Sequence, residues 1–295
     1  MVGTKKILVT GSNGQLGRSI CDISKGFEYK FFFMTKKELD ITNLKDLESF
    51  VSKNQINVII NCAAYTNVEK AQINRDIVDL VNIKSMNNIS KVCGDNEITL
   101  IHISTDYVFD GENNRPYREN DFTNPLNYYG YSKLCGEKEI LKSKLKNSII
   151  IRTSWLYSKY KDNFVSKILK KLKNNKDIII VKDEVGSPTY ASDLAVAILQ
   201  IVSKISNSKT EIFHFSNTGF CSRHELASKI NNLIEGESLV IPSINSETKI
   251  KRPKFSALDS SKIMKSFDLD ISSWEESLTA HLNNIGLKEK NNYEV

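Results

Sequence analysis

The sequence has few of the residues and patterns that mark metalloproteins, secreted proteins and membrane proteins. It contains four histidines and five cysteines, with no C-x-x-C pair, so its spacing indicates neither a zinc site nor a disulfide framework. No stretch approaches the roughly 20 apolar residues of a membrane span, and the first 20 residues lack the apolar run of a signal peptide. These absences predict a cytoplasmic protein with no metal and no membrane contact. His102 and His214 fall within predicted strands and are expected to be packed in the core.

The charge balance is modest and does not favour a nucleic-acid-binding protein. The chain carries 41 Lys+Arg against 35 Asp+Glu, a net charge of +6, and no compact Arg-rich block. Such a charge suits an anionic small ligand such as a nucleotide. With 295 residues, 40% of them hydrophobic, the chain is long enough for one large α/β domain and a smaller companion.

The N-terminal segment has the pattern of a phosphate-binding turn. A short apolar strand at residues 5–10 runs into Gly11, Gly14 and Gly17 in G-x-x-G-x-x-G spacing, and a helical pattern follows. Gly11 allows the tight bend, Gly14 lets the backbone approach a pyrophosphate, and Gly17 lets the helix pack closely. This pattern predicts dinucleotide binding, with an ordinary glycine-rich loop as the alternative.

The next two predicted strands bear on which cofactor binds. After the strand at 29–34 come Thr35, Lys36 and Lys37, where an NAD-specific fold usually has an acidic residue. A lysine there can pair with the 2′-phosphate of NADP, although both lysines can equally be solvated loop residues. After the strand at 57–60, small residues that include Ala63 and Ala64 leave room for a cofactor.

Two later stretches supply candidate catalytic groups. Thr105 follows the strand at 98–103 and offers a hydroxyl to a substrate carbonyl oxygen, or alternatively caps the next loop. Tyr129 and Lys133 are four residues apart, so a helix places both side chains on one face. A nearby cation lowers the pKa of a phenol, which makes the pair a plausible proton donor near neutral pH.

The overall pattern predicts an α/β fold, a Rossmann-type doubly wound parallel sheet with a smaller C-terminal α/β substrate domain. We expect a fifth strand at 148–152, a sixth at 212–215, and helices near 75–93, 164–173, 222–234 and 274–285. The dinucleotide-binding domain is predicted at 1–172 plus 190–216, and the substrate-binding domain at 173–189 plus 217–295. The polar residues 288–295 are expected to be frayed.

Taken together, these motifs resemble the extended short-chain dehydrogenase/reductase family, and finer stretches resemble its branch of dTDP-4-dehydrorhamnose reductases. The resemblance covers nearly the whole chain. The stretches that carry it are Thr10-Gly11-Ser12-Asn13-Gly14-Gln15-Leu16-Gly17, Leu39-Asp40-Ile41-Thr42, Asn61-Cys62-Ala63-Ala64-Tyr65-Thr66, Ser104-Thr105-Asp106-Tyr107-Val108-Phe109-Asp110-Gly111, Tyr129-x-x-x-Lys133, Arg152-Thr153-Ser154-Trp155, Gly186-Ser187-Pro188-Thr189 and Arg252-Pro253.

The resemblance implies NADPH or NADH as hydride donor and a nucleotide-linked 4-keto-6-deoxyhexose as acceptor, in the synthesis of a cell-surface polysaccharide precursor. Thr105 would bond the keto oxygen, Tyr129 would protonate it, and Lys133 would hold the nicotinamide ribose and lower the Tyr129 pKa. The implied cofactor-binding residues are Gly11, Asn13, Gly14, Gln15, Leu16, Lys36, Asp40, Ile41, Ala63, Ala64, Tyr65, Tyr129 and Lys133. The implied substrate-binding residues are Thr105, Asp106, Tyr107, Phe109 and Trp155.

Four points stay open at this level. A nucleotide-sugar epimerase or dehydratase is similar to this chain, although dehydratases of this fold place a second carboxylate where Tyr107 stands. A non-catalytic regulatory subunit similar to that of methionine adenosyltransferase is also compatible with the motifs. Glu184 stands where glutamine is usual in the family, which leaves the sugar and nucleotide open, and a homodimer is compatible with the resemblance.

Overall fold

The computed structural model describes residues 4–174, 176–244 and 250–287; the predicted frayed tail at 288–295 lies outside these ranges. Within them, the strands are β1 Lys6–Thr10, β2 Lys30–Met34, β3 Val58–Asn61, β4 Thr99–Thr105, β5 Ile149–Thr153, β6 Leu156–Tyr157, β7 Ile178–Val181, β8 Val185–Gly186, β9 Thr189–Tyr190, β10 Glu211–His214, β11 Cys221–Ser222 and β12 Val240–Ser243.

The α-helices of the same ranges are α1 Gln15–Ile23, α2 Leu44–Asn54, α3 Val68–Ala71, α4 Arg75–Asp79, α5 Ser85–Asp95, α6 Tyr128–Lys142, α7 Phe164–Leu172, α8 Ala191–Ile201, α9 Arg223–Leu233, α10 Ser261–Phe267 and α11 Trp274–Asn284. None of these helices is both long and apolar enough to cross a membrane.

Six parallel strands form the main sheet, in the order β10-β5-β4-β3-β1-β2. The chain builds outward from β1 to β2 and then crosses to β3 on the other side of β1, so the order reverses between β1 and β3. In open α/β sheets, ligands bind at the carboxyl ends of strands beside such a reversal. This topology confirms the predicted doubly wound α/β class.

Alternate side chains of these strands enter two cores, one on each face of the sheet. On one face, Ile7 and Val9 of β1 pack with α1 and α8. On the other face, Leu8 packs with α2, α5 and α6. A third core joins α7, α9 and α11 to β7, away from the main sheet.

Two of the differences from the predicted elements bear on the site or on the core. The single helix expected near 75–93 is interrupted by a π-helical turn at Leu80–Lys84 between α4 and α5. Asn82 on this turn bonds both the backbone NH and the carbonyl of Tyr65 and donates to the Ser132 hydroxyl. The second difference is α10, which was not predicted and whose Ile263 and Phe267 join the core beneath the main sheet.

A buried ion pair fixes α6 against the sheet. Glu137 accepts two hydrogen bonds from Arg152 of β5, at 2.9 and 2.7 Å, and a third from the Ser104 hydroxyl of β4 at 2.5 Å. The Arg152 and Glu137 side chains are only 3% and 1% exposed. Because the two buried charges compensate each other, removal of one leaves the other buried without its ion-pair partner.

We therefore predict that Glu137→Gln lowers the free energy of unfolding by about 3 kcal/mol, the lower end of the range for breaking a buried pair. Urea unfolding at neutral pH measures it. Glu139→Gln on the same helix is the control, because Glu139 pairs with the exposed Lys142 and should cost less than about 1 kcal/mol. Equal effects of the two changes would contradict the role given to the buried pair.

Candidate active site

A cleft of about 510 Å³ opens at the carboxyl ends of the main-sheet strands, beside the β1/β3 reversal. It brings together most residues that the sequence predicted for the site. Those in its lining are Gly11, Asn13, Gly14, Gln15, Leu16, Lys36, Asp40, Ile41, Ala63, Ala64, Thr105, Asp106, Tyr107, Tyr129, Lys133 and Trp155.

The glycine turn has the shape that a pyrophosphate requires. Gly11 has φ +61°, and a Cβ atom there would lie 2.7 Å from the Cα of Ala63. A Cβ on Gly17 would lie 2.6 Å from the Cα of Ser12, so both positions need glycine. Helix α1 starts after Gly14, with no side-chain cap and no acidic residue in its first turn. Its N-terminal NH groups are therefore available to an anion.

The loop after β2 forms the other end of the cleft. Lys36, Asp40 and Ile41 line it, and Asp40 is held by hydrogen bonds from the Thr42 NH and hydroxyl at 2.9 and 2.8 Å. The sequence analysis did not consider Glu38, whose carboxylate folds back and accepts from both the NH and the hydroxyl of Thr35 at 2.8 Å. A fixed carboxylate thus lies close to Lys36 in sequence at this end.

Thr105 and Tyr129 meet where the tip of β4 faces the first turn of α6. Asn127 caps α6 and so fixes where the helix starts. The Thr105 hydroxyl accepts from the Tyr107 NH at 3.2 Å and donates to Asp106 Oδ1 at 3.1 Å, and it lies near enough to the Tyr129 side chain to affect its pKa. The Tyr129 ring stands edge-on to Tyr107, with centroids 5.8 Å apart.

The pKa of Tyr129 is raised, not lowered as predicted. Burial is the main cause, a hydrogen bond with Thr105 opposes it, and the charges of Asp106 and Tyr107 add to the rise. Lys133 does not reverse this shift, because its Nζ is turned to the sheet. Lys133 Nζ donates to the Ile103 carbonyl at 2.7 Å and lies 3.0 Å from His102 Nε2.

Lys133 is itself strongly perturbed. Its side chain is buried, with only 2% of the residue exposed, and burial lowers its pKa to about 8 although Glu137 and Cys62 favour the charged form. His102, completely buried beside it, has a pKa lowered well below its usual value by burial and by the lysine charge. The sequence analysis placed His102 in a strand and gave it no link to Lys133.

Asp106 is a buried carboxyl group beside the Thr105 hydroxyl. Burial raises its pKa to about 6, while hydrogen bonds from Ser256 and Thr105 and the charge of Arg223 act in the opposite direction. A carboxyl group in this condition titrates near neutral pH, which is unusual and typical of functional sites.

Trp155 reaches the cleft together with Arg223, a residue that the sequence analysis missed. Trp155 has φ +44°, an uncommon conformation for a bulky residue, and its ring fills the space that a Cβ on Gly186 would need. The Arg223 guanidinium carbon lies 3.4 Å from the centroid of the Trp155 ring, and the group forms an ion pair with buried Glu184 at 3.7 Å. Arg223 is the first residue of α9, a position where acidic residues are usually favoured. An arginine at a helix start is therefore the sequence feature that could have marked it as a site residue.

Two predicted site residues lie outside this lining in the described part of the chain. Phe109 is completely buried and stacks on Tyr117 with ring centroids 4.1 Å apart. Tyr65 is on the loop after β3, where Asn82 holds its backbone and Asn74 donates to its hydroxyl. Among the same described residues, no group of three or more His, Cys, Asp or Glu side chains could hold a metal ion.

Comparison with known proteins gives consistent matches over nearly the whole chain. A family model described as RmlD substrate binding domain matches residues 5–286. A dTDP-4-dehydrorhamnose reductase of Aggregatibacter actinomycetemcomitans is 36% identical, covering 92% of this chain and 97% of that protein. A dTDP-4-keto-6-deoxy-D-glucose reductase of Streptomyces niveus is 32% identical, covering 94% and 96%. The solved dTDP-4-dehydrorhamnose reductase of Bacillus anthracis strain Ames in complex with NADP has a TM-score of 0.90 at 35% identity, covering 96% of this chain and 100% of that chain.

The buried Asp106 predicts a pH dependence of stability. Its folded-state pKa of about 6 exceeds its ordinary 3.8, so its contribution to stability is complete below about pH 4 and is lost as the pH rises through about 6. We expect the wild type to lose at least about 1 kcal/mol relative to Asp106→Asn between pH 4.5 and pH 7.5. Urea unfolding of both proteins at these pH values measures the difference, and parallel pH profiles would contradict the shift.

Proposed function

The chain belongs to the RmlD substrate binding domain family and to the dTDP-4-dehydrorhamnose reductases that its motifs resemble, and from this premise we propose that it reduces the 4-keto group of a dTDP-linked 6-deoxyhexose with NADPH or NADH. The specific reaction proposed is dTDP-4-dehydro-L-rhamnose to dTDP-L-rhamnose, for a cell-surface polysaccharide. The observation that carries the proposal is the meeting of a phosphate-binding glycine turn, Thr105, Tyr129 and Lys133 in one cleft.

The cofactor is held along the cleft from the β2 loop to α6. Gly11, Asn13, Gln15 and Leu16, at the uncapped start of α1, would hold the pyrophosphate. Lys36, Asp40 and Ile41 take the adenosine end, and Ala63 and Ala64 lie along the cofactor. When bound, the reduced nicotinamide supplies the hydride. The structure of the Bacillus anthracis protein in complex with NADP supports this assignment.

Tyr129 and Thr105 act on the keto oxygen. Negative charge develops on that oxygen during reduction, and a hydroxyl donor and an acid must neutralise it. Because burial raises the Tyr129 pKa, the phenol stays protonated at neutral pH and enters the reaction ready to donate. Thr105 donates its hydroxyl hydrogen once it turns from Asp106 to the substrate. Lys133 bonds the nicotinamide ribose and, as a cation, stabilises the phenolate that forms.

The sugar is bound on the side of the cleft formed by Asp106, Tyr107 and Trp155. Arg223 belongs to the same wall and supports Trp155 through ring stacking. The buried position of Phe109 argues for a role behind this wall, where it supports Tyr117.

The hydrophobic cores support a two-domain organisation with revised boundaries. We propose that α7 belongs with the substrate-binding part, because its Val165 and Ile168 share a core with α9 and α11. We propose that α10 belongs with the dinucleotide-binding part, because Ile263 and Phe267 pack beneath the main sheet. Limited proteolysis between the two parts tests this division.

A homodimer is supported by apolar side chains exposed near the start of α6. Ile73, Ile77 and Tyr131 are 83%, 52% and 50% exposed, and α4, which carries Ile77, packs against α6, which carries Tyr131. Light scattering of the purified protein decides between monomer and dimer.

Tyr129→Phe tests the proposed acid. The change keeps the ring but removes the proton and its hydrogen bond, so turnover should fall about 10²–10⁴-fold, the usual contribution of a general acid. Affinity for NADPH should stay nearly unchanged. The measurement is NADPH consumption with a dTDP-4-keto-6-deoxyhexose, together with fluorescence titration of NADPH.

Tyr131→Phe is the matched control, since Tyr131 lies on the same helix with a half-exposed side chain. It should retain near-normal turnover. Normal turnover by Tyr129→Phe would refute the assignment of the acid. If neither the wild type nor either variant consumes NADPH, the proposed reaction itself is refuted.

Lys36→Glu tests how the cofactor is selected. Lys36 lines the cleft, so reversing its charge should weaken NADPH binding by about 1–3 kcal/mol, the value of a lost charge-assisted contact. NADH, which has no 2′-phosphate, should bind nearly as before. Lys37→Glu is the control, because Lys37 is not one of the described residues that line the cleft. Equal losses for both cofactors would show that Lys36 does not contact the phosphate.

A further inference from the structure

A chain of hydrogen bonds runs beneath the cleft from β1 to Lys133. Asn61 at the end of β3 accepts from the Thr10 hydroxyl at 2.6 Å and from the Ala63 NH at 3.3 Å through Oδ1. Its Nδ2 lies 3.0 Å from His102 Nδ1. On the other side of the imidazole, His102 Nε2 lies 3.0 Å from Lys133 Nζ. Asn61 and His102 are completely buried, so water does not compete for these groups.

The geometry fixes where the proton of His102 resides. The Ala63 NH can only donate, so the Asn61 atom that it contacts must be the oxygen, and the amide nitrogen then faces His102. Nδ1 of His102 therefore accepts. A neutral imidazole has one N–H and one acceptor nitrogen, so the proton is on Nε2, which points at Lys133.

This arrangement disfavours a charged Lys133. An ammonium group has three donors and no lone pair, so it would face the Nε2–H donor at 3.0 Å. In the other tautomer of His102, the proton is on Nδ1 and faces the NH2 group of Asn61, so two donors would again face each other. A neutral amine, in contrast, accepts from Nε2–H and still donates to the Ile103 carbonyl at 2.7 Å.

The described groups around Lys133 compensate its positive charge only in part. Cys62, on the loop after β3, is a thiol whose pKa burial raises to about 12. Glu137, one turn further along α6, is bound at both oxygens by Arg152. Tyr129, one turn back, has a raised pKa and is neutral as well. The lowered pKa of Lys133 agrees with these surroundings.

We propose that His102 is a positioning residue that holds Nζ of Lys133 against β4 and favours its neutral amine form, until a ligand in the cleft offers the ammonium form a new acceptor. Binding of a ligand with hydroxyl acceptors, such as the ribose of the dinucleotide, then draws Nζ away from His102 and is accompanied by uptake of a proton. This second step rests on the proposed function; the state of Lys133 before binding does not.

The state before binding is tested by NMR on protein labelled with ¹³C at the lysine ε-carbons, without added cofactor. Lys133→Arg identifies the signal. We expect Lys133 to titrate at least about 1.5 pH units below the usual 10.4 of lysine. In His102→Gln, the amide oxygen can turn to Nζ and accept from the ammonium, so the midpoint should rise by about one unit or more. His214→Gln, at another completely buried strand histidine whose ring contacts Tyr117 and Arg152, should leave it unchanged.

A Lys133 midpoint equal to that of the other lysines would overturn the proposal. An unchanged Lys133 midpoint in His102→Gln would overturn it as well. Should that variant not fold, wild-type calorimetry decides. Near pH 8.5, NADPH binding in two buffers of different ionisation enthalpy should show uptake of about half a proton or more, given the ordinary and lowered lysine values. Binding without uptake overturns the proposal. Absence of NADPH binding instead refutes the proposed cofactor, and the NMR titration still decides the role of His102.

Discussion

The placement of α6 against β4 and β5 is the constraint on which the rest of the site depends. It is set by the buried pair of Glu137 and Arg152, to which the Ser104 hydroxyl is added. Close backbone approaches reinforce it: the site of a Cβ on Gly136 is taken by the Asn82 carbonyl, and that of Gly130 by the Tyr107 carbonyl. Because these contacts leave no room for sliding, a shift of α6 would break a charge pair as well as apolar packing.

One helical face then carries the chemistry and its support. Tyr129, Lys133 and Glu137 recur every four residues and therefore lie one above another on α6. The first faces the cleft, the second the strand beneath it, and the third the buried arginine. The same ion pair that holds the helix is thus what leaves Lys133 without a free carboxylate, so stability and the lysine's protonation state are coupled through Glu137.

The sequence predicted those features that depend on local pattern. Buried parallel strands read as continuous apolar runs, so the six strands of the main sheet were all anticipated, and Gly11 marked the turn. It did not predict contacts made by residues far apart in the chain. The π-helical turn carries Asn82, whose side chain bonds Tyr65 and Ser132, and Arg223 meets Trp155 from a helix about 70 residues further along the chain. Spacing put Lys133 near Tyr129, but the partner of its Nζ depends on the register between α6 and β4, which no local pattern encodes.

Desolvation, and not the nearby cation, dominates the electrostatics of Tyr129. A lysine one turn from a tyrosine lowers the tyrosine pKa only if the lysine is charged and turned toward it. Here burial raises the pKa of Tyr129 and of Asp106 and lowers that of Lys133, so desolvation moves all three groups toward their neutral forms. The three shifts share one cause and respond together to a change in the polarity of the cleft. A charged ligand that enters the cleft therefore supplies the field that the protein's own groups do not, and the catalytic protonation states belong to the complex as a whole.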